Sequence, residues 1–198
     1  MNRKSSPKVR DGRVQKKNRH GLTRLNSLSV GVEGGGKGRR VLTKEDVWKF
    51  LRLVPDWKRV STHLDLIYLA TSDEIEADGE YWLSDQRITL APWSNDLTMS
   101  IDRVAYLEAH GEIFKRLGVP VEETETGWIA RFDEESARAW QLLHIFLHEL
   151  GHHHYRITKG RGKSAGDEKY AETYALKLER EIWPRYCEAF KFKPRSIT

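Results

Sequence analysis

At 198 residues the chain is long enough for one domain with a sizeable core, and seven tryptophans within a 38% hydrophobic share supply large anchors for it. No stretch is long and apolar enough to cross a membrane, and the single cysteine, Cys187, excludes an internal disulfide and fits a reducing, cytoplasmic setting. The net charge of +5 is unevenly placed: residues 1–40 hold twelve Lys and Arg against Asp11 and Glu33, which leaves 22 basic and 27 acidic residues in 41–198.

The basic excess therefore belongs to residues 1–40. With few large apolar side chains and Gly34-Gly35-Gly36 near their end, they read as a disordered tail. Positive charge alone is enough for nonspecific contact with nucleic-acid phosphates, and a merely solvating tail is the plainer reading. No apolar core follows the basic residues, so the start does not read as a secretory signal.

The folded domain is expected over 41–198. Thr43 followed by Glu45 and Asp46 is an N-cap signal for a helix to about Leu53, ended by Pro55. His63 to Ala70 is a mostly apolar strand candidate. Ala77-Asp78-Gly79-Glu80 reads as a hairpin turn, with Tyr81–Leu83 and Gln86–Leu90 as paired strands. Helical spacing runs from Arg103 to Leu117 and stops at Gly118 and Pro120. Gly127–Phe132 is a further strand, and Asp133 caps a long helix.

That helix carries the chemistry. His148-Glu149-Leu150-Gly151-His152 places two histidines four residues apart, one turn from each other on one face, where both rings reach a single metal ion. Glu149, beside the first histidine, is placed to act as a general base toward a water on that metal without being a ligand itself. The preceding run Ala139–Leu147 is apolar nearly all round, the pattern of a buried helix. Ionised groups in such a helix cost several kcal/mol each when unpaired, and a cation removes that cost. Buried, hydrogen-bonded core histidines are the bland alternative. Gly151 suggests that something packs closely against the helix there. His144, one turn earlier, reads as a packed or outer-shell histidine, and His153 and His154 as a solvated cluster.

A zinc site needs a third protein ligand. Positions 155 and 158 are Tyr and Thr, so the extended His-Glu-x-x-His-x-x-Gly-x-x-His pattern fails. After a basic glycine-rich loop, Ser164 and Asp167 resemble a capping box opening a second helix, with Ala171, Ala175, Leu178 and Ile182 as its buried stripe. Glu168 and Glu172 stand at the margin of that stripe; Glu172 is the first choice as ligand and Glu168 the fallback. After Pro184, Arg185–Phe192 reads as a short amphipathic ending.

These parts resemble the gluzincins, and among them the ImmA/IrrE-like metallopeptidases. The matching residues are His148-Glu149-Leu150-Gly151-His152, the segment Glu168 to Glu172, and Gly79-Glu80-Tyr81-Trp82 with Arg87-Ile88-Thr89-Leu90. The resemblance covers roughly 75–180. The order of elements points to an α+β fold with a small, mainly antiparallel sheet on the motif helix, and the resemblance implies that it is zincin-like. The resemblance also implies one zinc ion held by His148, His152 and Glu172, with Glu149 as base. Ile101–Glu125 looks like an insertion, and Glu172-Thr173-Tyr174 stands where the family has Glu-Ala-Asn. The implied activity is hydrolysis of peptide bonds in a specific regulatory protein. Tyr155, Tyr170, Tyr174 and His154 are candidates for the oxyanion donor, and the strand edge at Arg87–Ala91 is a candidate for holding substrate. The competing reading is a nucleic-acid-binding module that works through residues 1–40, with a structural or degenerate zinc site.

Overall fold

A computed structural model describes residues 28–71, 77–159 and 166–194, together with the backbone of two short strands near the start. Those two, β1 (Val9–Arg10) and β2 (Arg13–Val14), pair antiparallel. The remaining residues of 1–27 lie outside the described residues, and the disorder expected for them with it.

Residues 28–40 belong to the fold, which corrects the boundary drawn at 40. β3 (Ser29–Val32) lies parallel to β4 (Leu66–Leu69) as an edge strand. Beyond it Gly36 donates to Thr71 Oγ1, Arg39 pairs through its backbone with Trp93, and the Arg39 guanidinium meets Glu134 at 2.6 Å. Four residues containing a glycine are too short to read as a strand alone; the neighbour β4 makes them one.

β5 (Gly79–Trp82) and β6 (Arg87–Leu90) complete a four-stranded sheet in the order β3-β4-β6-β5, with β5 antiparallel to β6 and the other three strands parallel. A separate antiparallel sheet has the order β7-β9-β8, from β7 (Thr98–Ile101), β8 (Val121–Thr124) and β9 (Gly127–Arg131). The architecture is α+β as expected, but the sheet facing the motif helix is mixed rather than mainly antiparallel. The hairpin turn is Leu83–Gln86, not Ala77–Glu80, and Gln86 takes the positive φ there. β6 lies inside the sheet, so the edge strand beside the motif helix is β5 and not Arg87–Ala91.

Helices cover these sheets. α1 (Lys44–Leu51) begins with a reciprocal capping box between Thr43 and Asp46. α2 (Trp57–Val60) follows Pro55, and α3 (Val104–Leu117) ends on Gly118 in the left-handed conformation. α4 (Glu134–Trp140) starts with the Asp133 cap, passes through a π-helical turn at Gln141–Phe146, and continues as α5 (Leu147–Lys159). α6 (Gly166–Phe190) runs straight through Pro184, so Arg185–Phe190 is the end of a long helix rather than a separate ending. The lost backbone bond at the proline is outweighed by packing on both sides, where Ile182 and Tyr186 are buried. Ser164 lies outside the described residues. The expected stripe Ala171, Ala175, Leu178 and Ile182 is buried. Two aromatic groups fill the core: Phe50 with Phe146 and Tyr186, and Trp140 stacked on Phe114 at 4.8 Å. Among the described residues no helix is long and apolar enough to cross a membrane.

Candidate metal centre

The motif helix is held between β5 on one side and α6 on the other, and a glycine marks each close approach. A Cβ on Gly79 would stand 2.6 Å from Ile145 Cγ2 and 3.1 Å from Glu149 Cγ; one on Gly151 would stand 2.7 Å from the Ala171 Cα. Neither contact tolerates a side chain, so the two glycines set the depth at which strand and helix meet. The close packing inferred from Gly151 is thus real, and the neighbour is a helix.

At this junction His148 and His152 turn their Nε2 atoms toward each other at 3.2 Å. The other nitrogen of each ring meets a carboxylate: His148 Nδ1 lies 3.1 Å from Glu172 Oε2, and His152 Nδ1 lies 3.1 Å from Asp167 Oδ1. An ionised carboxylate only accepts, so both Nδ1 atoms carry the hydrogen, and Nε2 is in each ring the nitrogen that can give a lone pair to a cation. Glu168 completes the group, with its carboxylate oxygens 3.4 Å from His148 Nε2 and 3.5 Å from His152 Nε2. Acceptors gathered this way repel unless a positive charge sits among them. Donors about 2.1 Å from a tetrahedral zinc stand roughly 3.4 Å apart, which is the spacing found here.

The field at the site is suited to a cation. Burial works against the imidazolium of His148, yet the bond to Glu172 and the charges of Glu149, Glu172 and Glu168 outweigh it and raise its pKa. Glu172 is likewise opposed by burial, but the His110 and His148 rings beside it hold it well below the usual carboxylate range. Glu149 is buried, and burial pushes its pKa up against the charges of His148 and His152 and the peptide N–H of Tyr81. A carboxylate in that state is suited to taking and returning a proton.

The sequence-derived candidates sort clearly. His148, Glu149 and His152 come together as expected. Of the two glutamates it is Glu168, the fallback, whose oxygens face both Nε2 atoms; Glu172 faces Nδ1 of His148. His144 is buried behind His148 and packs against Trp140; burial pushes its pKa down to about 3. His153 is not solvated: it is fully buried between the Tyr81 hydroxyl at 3.1 Å and the Thr62 carbonyl at 3.0 Å. His154 bonds the Tyr170 hydroxyl at 2.7 Å and stacks on Tyr174, and Tyr155 packs on Tyr170. Tyr155, Tyr170, Tyr174 and His154 thus form one aromatic group, and none of them is among the residues lining the cleft beside His148 and His152.

That cleft, about 550 Å³, is lined by β5, Glu149 and Arg156 among others, and a recess of about 570 Å³ beyond it reaches Tyr106, His110 and Glu172. Arg156 stands one turn after His152 on the same face, a spacing that could have found it. Asp167 was legible only as a cap. His110 comes from the segment read as an insertion, and no spacing ties it to the motif.

β5 offers more than wall. Ala91 N donates to Asp78 O, so by antiparallel alternation Glu80 and Trp82 bond β6 while Gly79 and Tyr81 direct their backbone groups to the open edge. Glu149 thus sits against the unpaired edge of β5 at Gly79. No family model, no curated protein and no solved structure matches this chain.

Proposed function

We infer that the chain is a zinc-dependent metallopeptidase of zincin-like, gluzincin type, in which His148, His152 and Glu168 hold one zinc ion and Glu149 is the general base. The observation that carries this reading is the convergence of two Nε2 atoms and the Glu168 carboxylate, with both outer nitrogens secured by carboxylates. Outer partners of that kind orient metal-bound histidines and raise their basicity. Glu172, the first choice from the sequence, takes this orienting role together with Asp167.

When bound, zinc acidifies water and polarises a carbonyl. Glu149 accepts the proton from the attacking water and returns it to the departing amine, so one carboxylate serves both halves of the hydrolysis. Its burial keeps bulk water from competing for that proton. The Gly79 backbone and the Tyr81 carbonyl lie along the unpaired edge of β5, where an extended peptide adds as a further strand. Arg156 supplies positive charge in the same cleft and is the candidate to stabilise the oxyanion. An extended segment of a protein in the same compartment fits such a site as substrate.

Incubation of the zinc-loaded protein with a degenerate peptide library, read by mass spectrometry, tests this. Cleavage that disappears in Glu149→Gln, while that variant keeps its zinc, supports the reading; equal cleavage by Glu149→Gln overturns it.

The alternative of a nucleic-acid module rests on residues 1–27, which carry nine of the twelve basic residues counted above. It predicts salt-dependent binding that is lost when those residues are removed.

A further inference from the structure

Behind the first group of donors lies a second. His110 from α3, His144 from the π-helical turn and Glu172 from α6 each offer one ligand atom, all within 4.8 Å of one another. The side chains of His110 and His144 are only 6% and 5% exposed. His110 Nδ1 lies 2.7 Å from the Tyr106 carbonyl oxygen, which can only accept, so Nδ1 carries the hydrogen and Nε2 a lone pair.

That lone pair is aimed at trouble. His110 Nε2 is 3.3 Å from Glu172 Oε1, yet neither atom has a hydrogen-bond partner of acceptable geometry, and both are buried. His144 Nε2 stands 4.0 Å from Glu172 Oε2, and His144 Nδ1 is also without a partner. Buried polar atoms left unpaired cost about 1–3 kcal/mol each, and His110 Nε2 and Glu172 Oε1, unpaired and facing one another, call for a common explanation. One extra proton satisfies one contact of this group; a cation satisfies the imidazoles and the carboxylate together.

We propose that His110, His144 and Glu172 form a second site for a divalent transition-metal ion, next to the first and linked to it through Glu172. Two neutral imidazoles and a carboxylate suit zinc, cobalt, nickel or ferrous ions, whereas magnesium and calcium prefer oxygen alone. The recess that reaches His110, His144 and Glu172 also reaches His148 and Glu168, which gives an ion a route in. Glu172 would bind through Oε1 while Oε2 keeps the His148 Nδ1–H, so filling one site changes the hold on the other. The ion would also join α3, the π-helical turn and α6.

Metal stoichiometry of the full-length protein tests this independently of activity. Chelator-stripped protein is titrated with zinc by calorimetry, counted by elemental analysis after dialysis, and titrated in parallel with cobalt to follow its visible absorption. Two equivalents are expected for the wild type. His110→Leu should lose one and keep the other, as should His148→Ala, and the two retained cobalt spectra should differ. A single equivalent in the wild type, lost in His148→Ala and kept in His110→Leu, overturns the second site and leaves the peptidase reading intact. A single equivalent with the opposite pattern supports the second site and ends that reading. Where a variant does not fold, a wild-type count of two supports the pair of sites and a count of one overturns the pair.

Discussion

Each imidazole of the His148–His152 pair has one nitrogen committed to a carboxylate and one turned to its neighbour, so the acidic residues differ by which nitrogen they meet. Glu168 meets Nε2 of both rings; Glu172 and Asp167 meet Nδ1. Loss of an outer partner costs about 10–100-fold in metal affinity. Glu172→Gln and Asp167→Asn should fall in that range, and Glu168→Gln, which removes a proposed ligand, should exceed it. Competition with a chromogenic chelator ranks the three, and a larger loss for Glu172→Gln than for Glu168→Gln would return Glu172 to the first place it held on sequence grounds. Glu149→Gln should lower turnover by roughly 10²–10⁴, the usual worth of a positioned base, with zinc affinity nearly unchanged. The spacing of His148, Glu149 and His152 is enough to foresee their convergence, because a helix converts spacing four into one face. The third ligand is not foreseeable in this way. Glu168 and Glu172 are also four apart on one face of α6, and only the depth at which α6 meets α5 decides which carboxylate reaches Nε2.

That depth is a property of elements. Gly151 lets the backbone of α6 approach α5 at Ala171, and Gly79 lets β5 approach at Ile145 and Glu149. Gly151→Ala gains about 1 kcal/mol in helix propensity but sets a Cβ 2.7 Å from a backbone atom. Overpacking of this kind costs about 1–3 kcal/mol, and backbone yields less readily than a side chain, so net destabilisation is expected. Because α6 carries Glu168, Glu172 and Asp167, zinc affinity should fall with stability; thermal melts with and without chelator measure both. A variant that is more stable than the wild type and binds zinc as well would contradict the close-approach account. Capping signals at Thr43 and Asp133 and the apolar stripe of α6 were legible because they are local. β3 and β7 were not, since each is a four-residue strand that owes its existence to a distant partner, and β8, paired with the adjacent β9, is short and mostly polar. Asp78-Gly79 resembles a turn locally, but the glycine is there for close contact with the motif helix.

At the scale of the whole molecule, the motif helix is buried by elements from both ends of the chain, and acid should loosen this packing through His153. Its Nε2–H donates to the Thr62 carbonyl and its Nδ1 accepts from the Tyr81 hydroxyl, so the ring is neutral and ties α5 to β5 and to the loop after α2. Burial pushes its pKa down to about 4 from an ordinary 6.5. The unfolded chain therefore binds more protons than the folded one across that interval. The contribution is fully present above pH 6.5 and is lost as pH falls toward 4. Denaturant melts of chelator-treated protein should show stability declining over this window, and a flatter profile in His153→Gln. An unchanged slope in that variant would assign the decline to other groups. None of this long-range organisation can be read from local sequence, which is why His153 resembles one more member of a polar histidine run. The α+β class was legible; the mixed sheet and the place of residues 28–40 within it depend on pairings between strands far apart in the chain. The central claim is that a cation lies between His148, His152 and Glu168. Anomalous diffraction at the zinc absorption edge from crystals of the zinc-loaded protein tests it most directly. A peak within bonding distance of both Nε2 atoms and a Glu168 oxygen is predicted; density that shows the two imidazoles bonded only to protein atoms, with no peak between them, would contradict it.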